Sequence, residues 1–596
     1  MADPTLFSEH VNSAKLQKEF QRHWHSRSDF KTANLEIVSR PFKVCRISNF
    51  LRDESVLEDL KSELERHKHT RKVLDLYQFE KTEDLCSAAD KCIQRLNRAF
   101  CTDLVKWMQR NMSIELNGNV SMSSARYRDT DRLLCHDDNM DDRRIAYILY
   151  LTKDWSQEDG GALDIFDTDE EGWPREIVRS LIPEYNSFVF FEVEDNSYHQ
   201  VAEVLTDKCR WSLNGWFHGR LGTSLHKLAR TSEPARALVQ PSPTEVQLHS
   251  WIPAQYLTPG IMEQIHEDVE MLSYTLLKGF LKESAYRRVA SELTSRDISW
   301  RMIGPPDMRR YETADEQTLP EPLKDFCDLF RSISFFRLLA KYTGLDLVPE
   351  ETKRPKVTLE LQRWSSGCYT LLYDRSLLED TDESTNIDDN VSTTAVASTS
   401  GVSTSETDVD VVGRSRELKR GRIDDSPSSA DSPDKKKRHP DSDSQSDVDA
   451  ECSSKHERDT DTDEMSSSDE RLSSSGTSAS SNECDLNTVD PFGAMIKRFI
   501  RKDDPLSEDE SVSKDGDFLL DVIIQFHVED AKGIPKTEDT IDFVDPGKQD
   551  GTLIQIPTRD NHLCLVYRSA MVSRLQKYLN HFYDGYSYTF VCTYYE

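Results

Sequence analysis

The sequence offers no apolar run of the ~18 residues that a membrane-spanning helix needs. Its opening segment, MADPTLFSEHVNSAKLQKEF, has no apolar stretch of the kind a secretory leader carries. Its 12 cysteines include no Cys-x-x-Cys pair. That excludes the usual thiolate zinc motifs, and the scatter suits a reduced nuclear or cytosolic compartment better than a disulfide framework. Positive charge is scarce: 75 Lys and Arg stand against 107 Asp and Glu, a net charge of -32. A general nucleic-acid coat is thereby disfavoured, and basic partners are favoured. With 36% hydrophobic and 31% charged residues, 596 residues are too polar to form one globule throughout.

Aromatic residues are missing altogether from 381–490, where 25 Ser, 11 Thr and 27 Asp or Glu accompany only 12 Lys or Arg. Such a tract buries too little apolar surface to offset chain entropy, so disorder is expected over about 378–515. Its acidic-flanked serines, as in SDSDSQSDVD, suit an acidophilic kinase, with a solvated spacer as the plainer reading. Two basic clusters interrupt it, Arg414 to Arg422 and Lys435 to Arg438. They resemble a nuclear import signal, and the expected location is nucleus and cytoplasm.

Two folded blocks remain, 1–225 and 249–596, joined by a proline-containing linker over 226–248. The first opens with helical periodicity: Val56, Leu57, Leu60 and Leu64 share a face, and Leu85, Ile93, Leu96, Phe100, Leu104 and Trp107 continue the pattern over 83–111. Short β-rich segments follow (VSMSSARY, RIAYILYL, GALDIF, SFVFFEV, HQVAEVL, RWSLNGWF), separated by turn residues. The expected class is α+β, a jelly roll buttressed by helices. The second block repeats this order, with helices over roughly 255–342 and then strands through YSYTFVCTYYE. A duplication is inferred, with the disordered tract inserted in the second copy.

The chemistry-bearing stretch is Cys135-His136-Asp137-Asp138. His-x-Asp occurs three times, and physical context separates the occurrences. His266 and Asp268 lie in a helical pattern, where residues two apart diverge by about 200°. His439 and Asp441 fall in the acidic tract, where nothing preorganises them. His136 and Asp138 sit at the mouth of a strand, where residues two apart face the same way. A redox iron handling dioxygen takes two histidines and a carboxylate on one face. His199, opening HQVAEVL, is the best third ligand, and Arg210 on the next strand has the fork geometry to grip a carboxylate.

With these residues, LLCHDD, RRIAYILYL, GGALDIF, RSLIPEYNSFVFFEV, HQVAEVL and GWFHG, the chain resembles the Fe(II)/2-oxoglutarate-dependent oxygenases with a double-stranded β-helix core. More closely, it resembles those that act as prolyl 3-hydroxylases on a small-subunit ribosomal protein. LQRWSSGCYTLLYD, CLVYRSA and TYYE in the second block resemble that family's non-catalytic C-terminal domain. The resemblance implies two tandem jelly-roll domains, the second degenerate. It implies Fe(II) held by His136, Asp138 and His199, and 2-oxoglutarate held by Arg210 with help from the Tyr150 hydroxyl. It also implies O2 as co-reactant, ascorbate as reductant, a basic ribosomal protein as substrate with neither membrane nor direct nucleic-acid contact, and an effect on translation fidelity or termination. Cys209 beside Arg210 is a departure, open to oxidation near iron.

Blander readings stand beside these. His199 could be a satisfied barrel histidine, and His136 with Asp138 a surface turn pair. Arg210 could pair with Glu203 or Glu192, and Tyr150 could bond to backbone. His218, Trp211, Trp216 and Phe217 read as structural. Positions matching the ligands in the second block read Tyr373 and Asp374, with no histidine after CLVYR until His581, so no second iron site is expected. Competing functions are a catalytically silent adaptor or scaffold and an oxygenase acting on a lysyl residue or a nucleic-acid base.

Overall fold

The computed structural model describes residues 6–140, 142–220, 237–372, 518–531, 540–545 and 552–596. The acidic tract, both basic clusters, Tyr373, Asp374 and residues 226–236 of the linker lie outside the described residues.

Helix α1 (Ala14–Ser26) is capped by the Ser13 hydroxyl, which accepts from the Leu16 N–H. Its Leu16, Phe20 and Trp24 recur every four residues and are buried together. α2 (Glu54–Arg66), α3 (Lys91–Ala99) and α4 (Val105–Met112) complete the helical layer, with a π-helical turn, Phe100–Leu104, between the last two. Residues 83–90 are not helical as expected: α3 begins after Asp90, and Leu85 reaches the core from an irregular segment.

The eight core strands of this half are β1 (Ser123–Tyr127), β2 (Arg132–His136), β3 (Arg143–Tyr150), β4 (Leu163–Thr168), β5 (Pro174–Leu181), β6 (Phe188–Glu192), β7 (His199–Val201) and β8 (Arg210–His218). Antiparallel pairing runs β6-β3-β8-β1 in one layer and β2-β7-β4-β5 in the other, with strand Tyr77–Lys81 bridging β1 to β2. Leu35–Val38 and Val44–Ile47 extend the first layer beyond β6. β6 reads as continuous apolar sequence because both its faces are covered. Phe188 and Phe190 pack under the helices with Phe20, Trp24 and Trp107. Val189 and Phe191 join a second core inside the barrel, with Phe79, Tyr127, Tyr150 and Trp216.

In the C-terminal half, α5 (Pro259–Leu272), α6 (Glu283–Leu293), α7 (Glu321–Arg331) and α8 (Ile333–Thr343) precede or flank a second set of strands. These are β9 (Lys356–Trp364), β10 (Tyr369–Thr370), β11 (Phe518–Phe526), β12 (Thr540–Val544), β13 (Thr552–Pro557), β14 (His562–Ser569), β15 (Ser573–Gln576) and β16 (Ser587–Tyr595). Pairing runs β14-β11-β16-β9, and β13-β12-β15 forms a separate small sheet. Phe326 and Phe330 of α7 pack against Phe590 of β16 with tilted rings, so helices again cover one sheet face. Tyr274–Lys278, expected as helix, is a strand beside β14: α5 ends at Ser273 in the left-handed conformation, and two β-compatible residues follow. Among the described residues, all ten cysteines are free, and no helix is long and apolar enough to cross a membrane.

Asp521 of β11 is fully buried. Burial alone would raise its carboxyl, but Arg568 (Nε to Oδ2, 2.6 Å) and the Thr593 hydroxyl (2.7 Å) hold it below the usual value. A depressed folded-state value means that this stability is present above about pH 4, the unfolded-chain value, and is lost as pH falls through the folded one. Arg568→Ala strands the carboxylate and should cost about 3–5 kcal/mol in urea denaturation, with a flatter loss of stability in acid than wild type. An unchanged urea midpoint would show that the pair contributes nothing net.

Candidate active site

β2 and β7 pair antiparallel with His199 directly opposite His136. The pairing sets their rings 4.2 Å apart between centroids. Asp138 joins them by a different route from the one the sequence suggested. β2 ends at His136, and Asp138 turns back at φ 58° rather than continuing a strand. Asp is among the few non-glycine residues that tolerate this region. The Ser197 hydroxyl donates to the Asp137 carbonyl (2.7 Å), tying the two ligand-bearing segments together.

The side chains are buried and converge. His136 Nε2 is 3.8 Å from Asp138 Oδ1, His199 Nε2 is 3.6 Å from Asp138 Oδ2, and one ligand atom from each lies within 4.8 Å of the others. Each imidazole has its Nδ1 2.8 Å from a carbonyl, of Leu134 or Ser197. Nδ1–H is therefore the donor, and both Nε2 lone pairs turn toward Asp138, the usual tautomer of a metal-binding histidine. Burial pushes His199 down to about 4, which keeps the ring neutral and available as a ligand. Burial would raise the Asp138 carboxyl, yet His136, His199, Arg143 and the Trp216 indole together keep it below its usual range. Asp138 Oδ1 is buried and accepts no hydrogen bond. Two imidazoles and a carboxylate whose Oδ1 accepts no hydrogen bond fit a divalent iron. It is the single such cluster among the described residues, and His266 and His581 stand outside it.

Arg210 opens β8, opposite Tyr127 of β1. It is 1% exposed, lies 5.0 Å over the rings of both Tyr127 and Tyr150, and donates to the Tyr150 hydroxyl at 3.4 Å. Its Nε is buried without a hydrogen-bond partner. The structural partners considered for it are engaged elsewhere. Glu192 pairs with Lys43 and Arg144, and Glu203 accepts from the Tyr578 hydroxyl and the His581 N–H. A buried guanidinium that among the described residues meets tyrosines and no carboxylate fits a carboxylate ligand that arrives from outside. Burial pushes the Tyr127 phenol up, so it remains a neutral neighbour of that ligand.

Gly161 makes this position possible. At φ 62°, a Cβ there would lie 2.8 Å from Arg210 Cδ and 3.2 Å from Val204. Gly161→Ala should therefore push the guanidinium out of line and raise the apparent KM for a dicarboxylate cosubstrate by about tenfold, the equivalent of one weakened charged hydrogen bond. An unchanged KM would show that the pocket tolerates the shift.

Three contributors escaped the sequence reading. Trp216, read as core, donates its indole N–H to Asp138 Oδ2 at 3.1 Å. Arg143, fully buried, lies 3.9 Å over the Trp216 ring with Nη1 3.5 Å from Asp138 Oδ1. Strand alternation would place Arg143 with Ile145 and Tyr147 on the helix face, but the register shifts between Phe217 and His218 and turns it inward. Tyr127 ends β1, and its pairing opposite Arg210 was not visible without the register. His218 is structural as read, bonded to Asp142 and Ser121. Burial raises the half-buried Cys209 thiol, which disfavours the reactive thiolate.

Residues 122–218 match the family described as 2OG-Fe(II) oxygenase superfamily, and residues 244–596 match the family described as oxoglutarate and iron-dependent oxygenase degradation C-term. The chain is 40% identical over 57% of its length to the mouse (Mus musculus) protein named prolyl 3-hydroxylase OGFOD1, and the match spans 62% of that protein. The Xenopus laevis protein of the same name is 35% identical, over 59% of this chain and 74% of that one. The Drosophila melanogaster protein named prolyl 3-hydroxylase sudestada1 is 30% identical, over 62% of this chain and 72% of that one.

Proposed function

Because this chain belongs to the oxoglutarate- and iron-dependent oxygenase family, we propose that it hydroxylates a prolyl residue, at the 3-position, in a basic protein of the small ribosomal subunit. The observation that carries the oxygenase reading is the buried convergence of His136, Asp138 and His199 beside an Arg210 that, among the described residues, pairs with no carboxylate. Bound Fe(II), with 2-oxoglutarate and dioxygen, supplies the oxidising chemistry. The protein's part is geometric. Nδ1–H bonds to Leu134 and Ser197 aim the two imidazoles, and Trp216 and Arg143 orient the Asp138 carboxylate. Arg210 and Tyr150 would hold the far carboxylate of 2-oxoglutarate in a water-poor barrel, where a charged hydrogen bond is strongest.

The names of the relatives support prolyl specificity, and the net charge of -32 suits a basic partner. The domain division that follows is a catalytic jelly roll over 1–225, a linker over 226–248 and a degenerate, non-catalytic jelly roll over 249–596 interrupted by the 378–515 insertion. The matching order of β6-β3-β8-β1 and β14-β11-β16-β9, with β5-β4-β7 matching β13-β12-β15, supports a tandem duplication. Nucleus and cytoplasm are the proposed location, on the strength of the two basic clusters, and ascorbate is the proposed reductant.

The substrate reading is tested with purified protein, Fe(II), 2-oxoglutarate and matched basic peptides carrying one proline, one lysine or neither. Succinate release coupled to a single oxygen gain on the proline peptide alone is expected. Equal coupling on the lysine peptide would overturn prolyl specificity and leave the oxygenase class standing.

A further inference from the structure

The metal-bearing strands have a second end, and it is held from outside their own half of the molecule. β2 runs from Arg132 to His136, and β7 runs antiparallel from His199, with Val201 opposite Leu133. Beyond Val201 the contact continues, since Val204 N–H donates to the Asp131 carbonyl and Thr130 N–H to the Val204 carbonyl. Here the turn after β15 reaches in. Glu203 is buried, and its carboxylate accepts from the Tyr578 hydroxyl (3.1 Å) and the His581 N–H (2.9 Å). The Arg132 guanidinium lies 4.0 Å over the Tyr578 ring. His581 Nε2 is 2.7 Å from Asp129 in the turn that precedes β2. Tyr369 of β10 stacks on Tyr578 at 5.9 Å, and the Leu372 N–H donates to the half-buried Asp75, next to the strand that pairs with β2.

We infer that Tyr578, with His581, is a positioning residue for the iron centre: the C-terminal half clamps the far ends of β2 and β7 and so fixes how His136 and His199 meet. The inference rests on the ligand assignment above. Burial raises the Glu203 carboxyl, and both of its hydrogen bonds come from the C-terminal half, so their loss would leave a buried acid unsatisfied at the root of β7. The strands are short, and one rise of ~3.3 Å per residue separates each neighbour, so a disturbance at Glu203 is only four residues from His199. It also reaches the cosubstrate pocket, since the Glu203 carbonyl accepts from Gly161 N–H at 3.0 Å and Gly161 packs on Arg210.

The test is anaerobic titration of the full chain with Mn(II), following free Mn(II) by electron paramagnetic resonance. Tyr578→Ala should weaken Mn(II) by about tenfold, the lower end of what outer partners of metal ligands contribute. Tyr578→Phe keeps the ring over Arg132 and loses the hydroxyl, so a smaller weakening of about threefold is expected, and it decides alone should the alanine variant not fold. Tyr342→Phe removes a buried hydrogen bond to the Tyr256 carbonyl, far along the chain from this seam. It should lower the melting temperature and leave Mn(II) affinity as in wild type. Wild-type affinity in the Tyr578 variants, or an equal loss in Tyr342→Phe, would overturn the clamp. His136→Ala is run in parallel: if that variant binds Mn(II) as wild type does, the ligand assignment fails instead.

Discussion

Asp138→Ala is expected to bind Fe(II) too weakly to turn over, with a loss larger than the 10- to 100-fold typical of an outer partner. The reason is positional as well as chemical. Asp138 reaches the site from a left-handed turn that glycine, asparagine or aspartate tolerates best, with Oδ1 3.8 Å from His136 Nε2 and Oδ2 3.6 Å from His199 Nε2. Alanine at φ 58° removes the ligand and strains the turn. His136→Ala should be equally inactive. Trp216→Phe, by contrast, keeps all three ligands and loses only the indole donor, so metal affinity should fall by about tenfold and turnover should survive at saturating iron. Comparable turnover in Asp138→Ala and wild type, measured as succinate release at matched iron, would remove Asp138 from the ligand set.

Arg210→Met is expected to separate stability from binding. The buried guanidinium has two aromatic faces and one tyrosine hydroxyl around it and, among the described residues, no carboxylate. Replacing a buried charge of this kind with an apolar side chain of similar length is commonly neutral or stabilising. The protein without cosubstrate should therefore melt at or slightly above the wild-type temperature. The KM for 2-oxoglutarate should rise by a factor of about 100 or more, because two charge-assisted hydrogen bonds worth about 1.5–3 kcal/mol each are lost. Lysine cannot supply the same fork, so Arg210→Lys should recover little of the affinity. A melting temperature that collapses while KM stays constant would make Arg210 a structural residue.

The extent to which the sequence disclosed this site follows from strand periodicity. His136, His199 and Arg210 lie at the ends of strands whose β-branched and aromatic runs stand out, and the structure places all three in one barrel. Asp138 stands beside the two histidines, but a turn and not the expected strand continuation brings it back. Arg143 was hidden by a register shift, which no single-strand pattern reveals. Trp216 was hidden by its dual nature, an apolar ring in the core with a polar edge at the metal site. In the fold, β5 was missed because its residues between Pro174 and Leu181 face solvent, leaving no alternation to read. Val44–Ile47 and Tyr77–Lys81 were missed between helices because the core strands that they join, β6 for the first and β1 and β2 for the second, are more than 40 residues away along the chain. The seam at Tyr578 and Glu203, 375 residues apart, has no local signal at all.

The most direct measurement follows isotopically labelled dioxygen. Purified wild-type protein is supplied with Fe(II), 2-oxoglutarate, oxygen-18 gas and a basic proline-containing peptide, and the products are read by mass spectrometry. One labelled oxygen in the peptide and one in succinate are expected, with both absent in His136→Ala. Hydroxylation whose oxygen comes from water, or labelled product formed equally well by His136→Ala, would contradict an iron centre built on His136, Asp138 and His199.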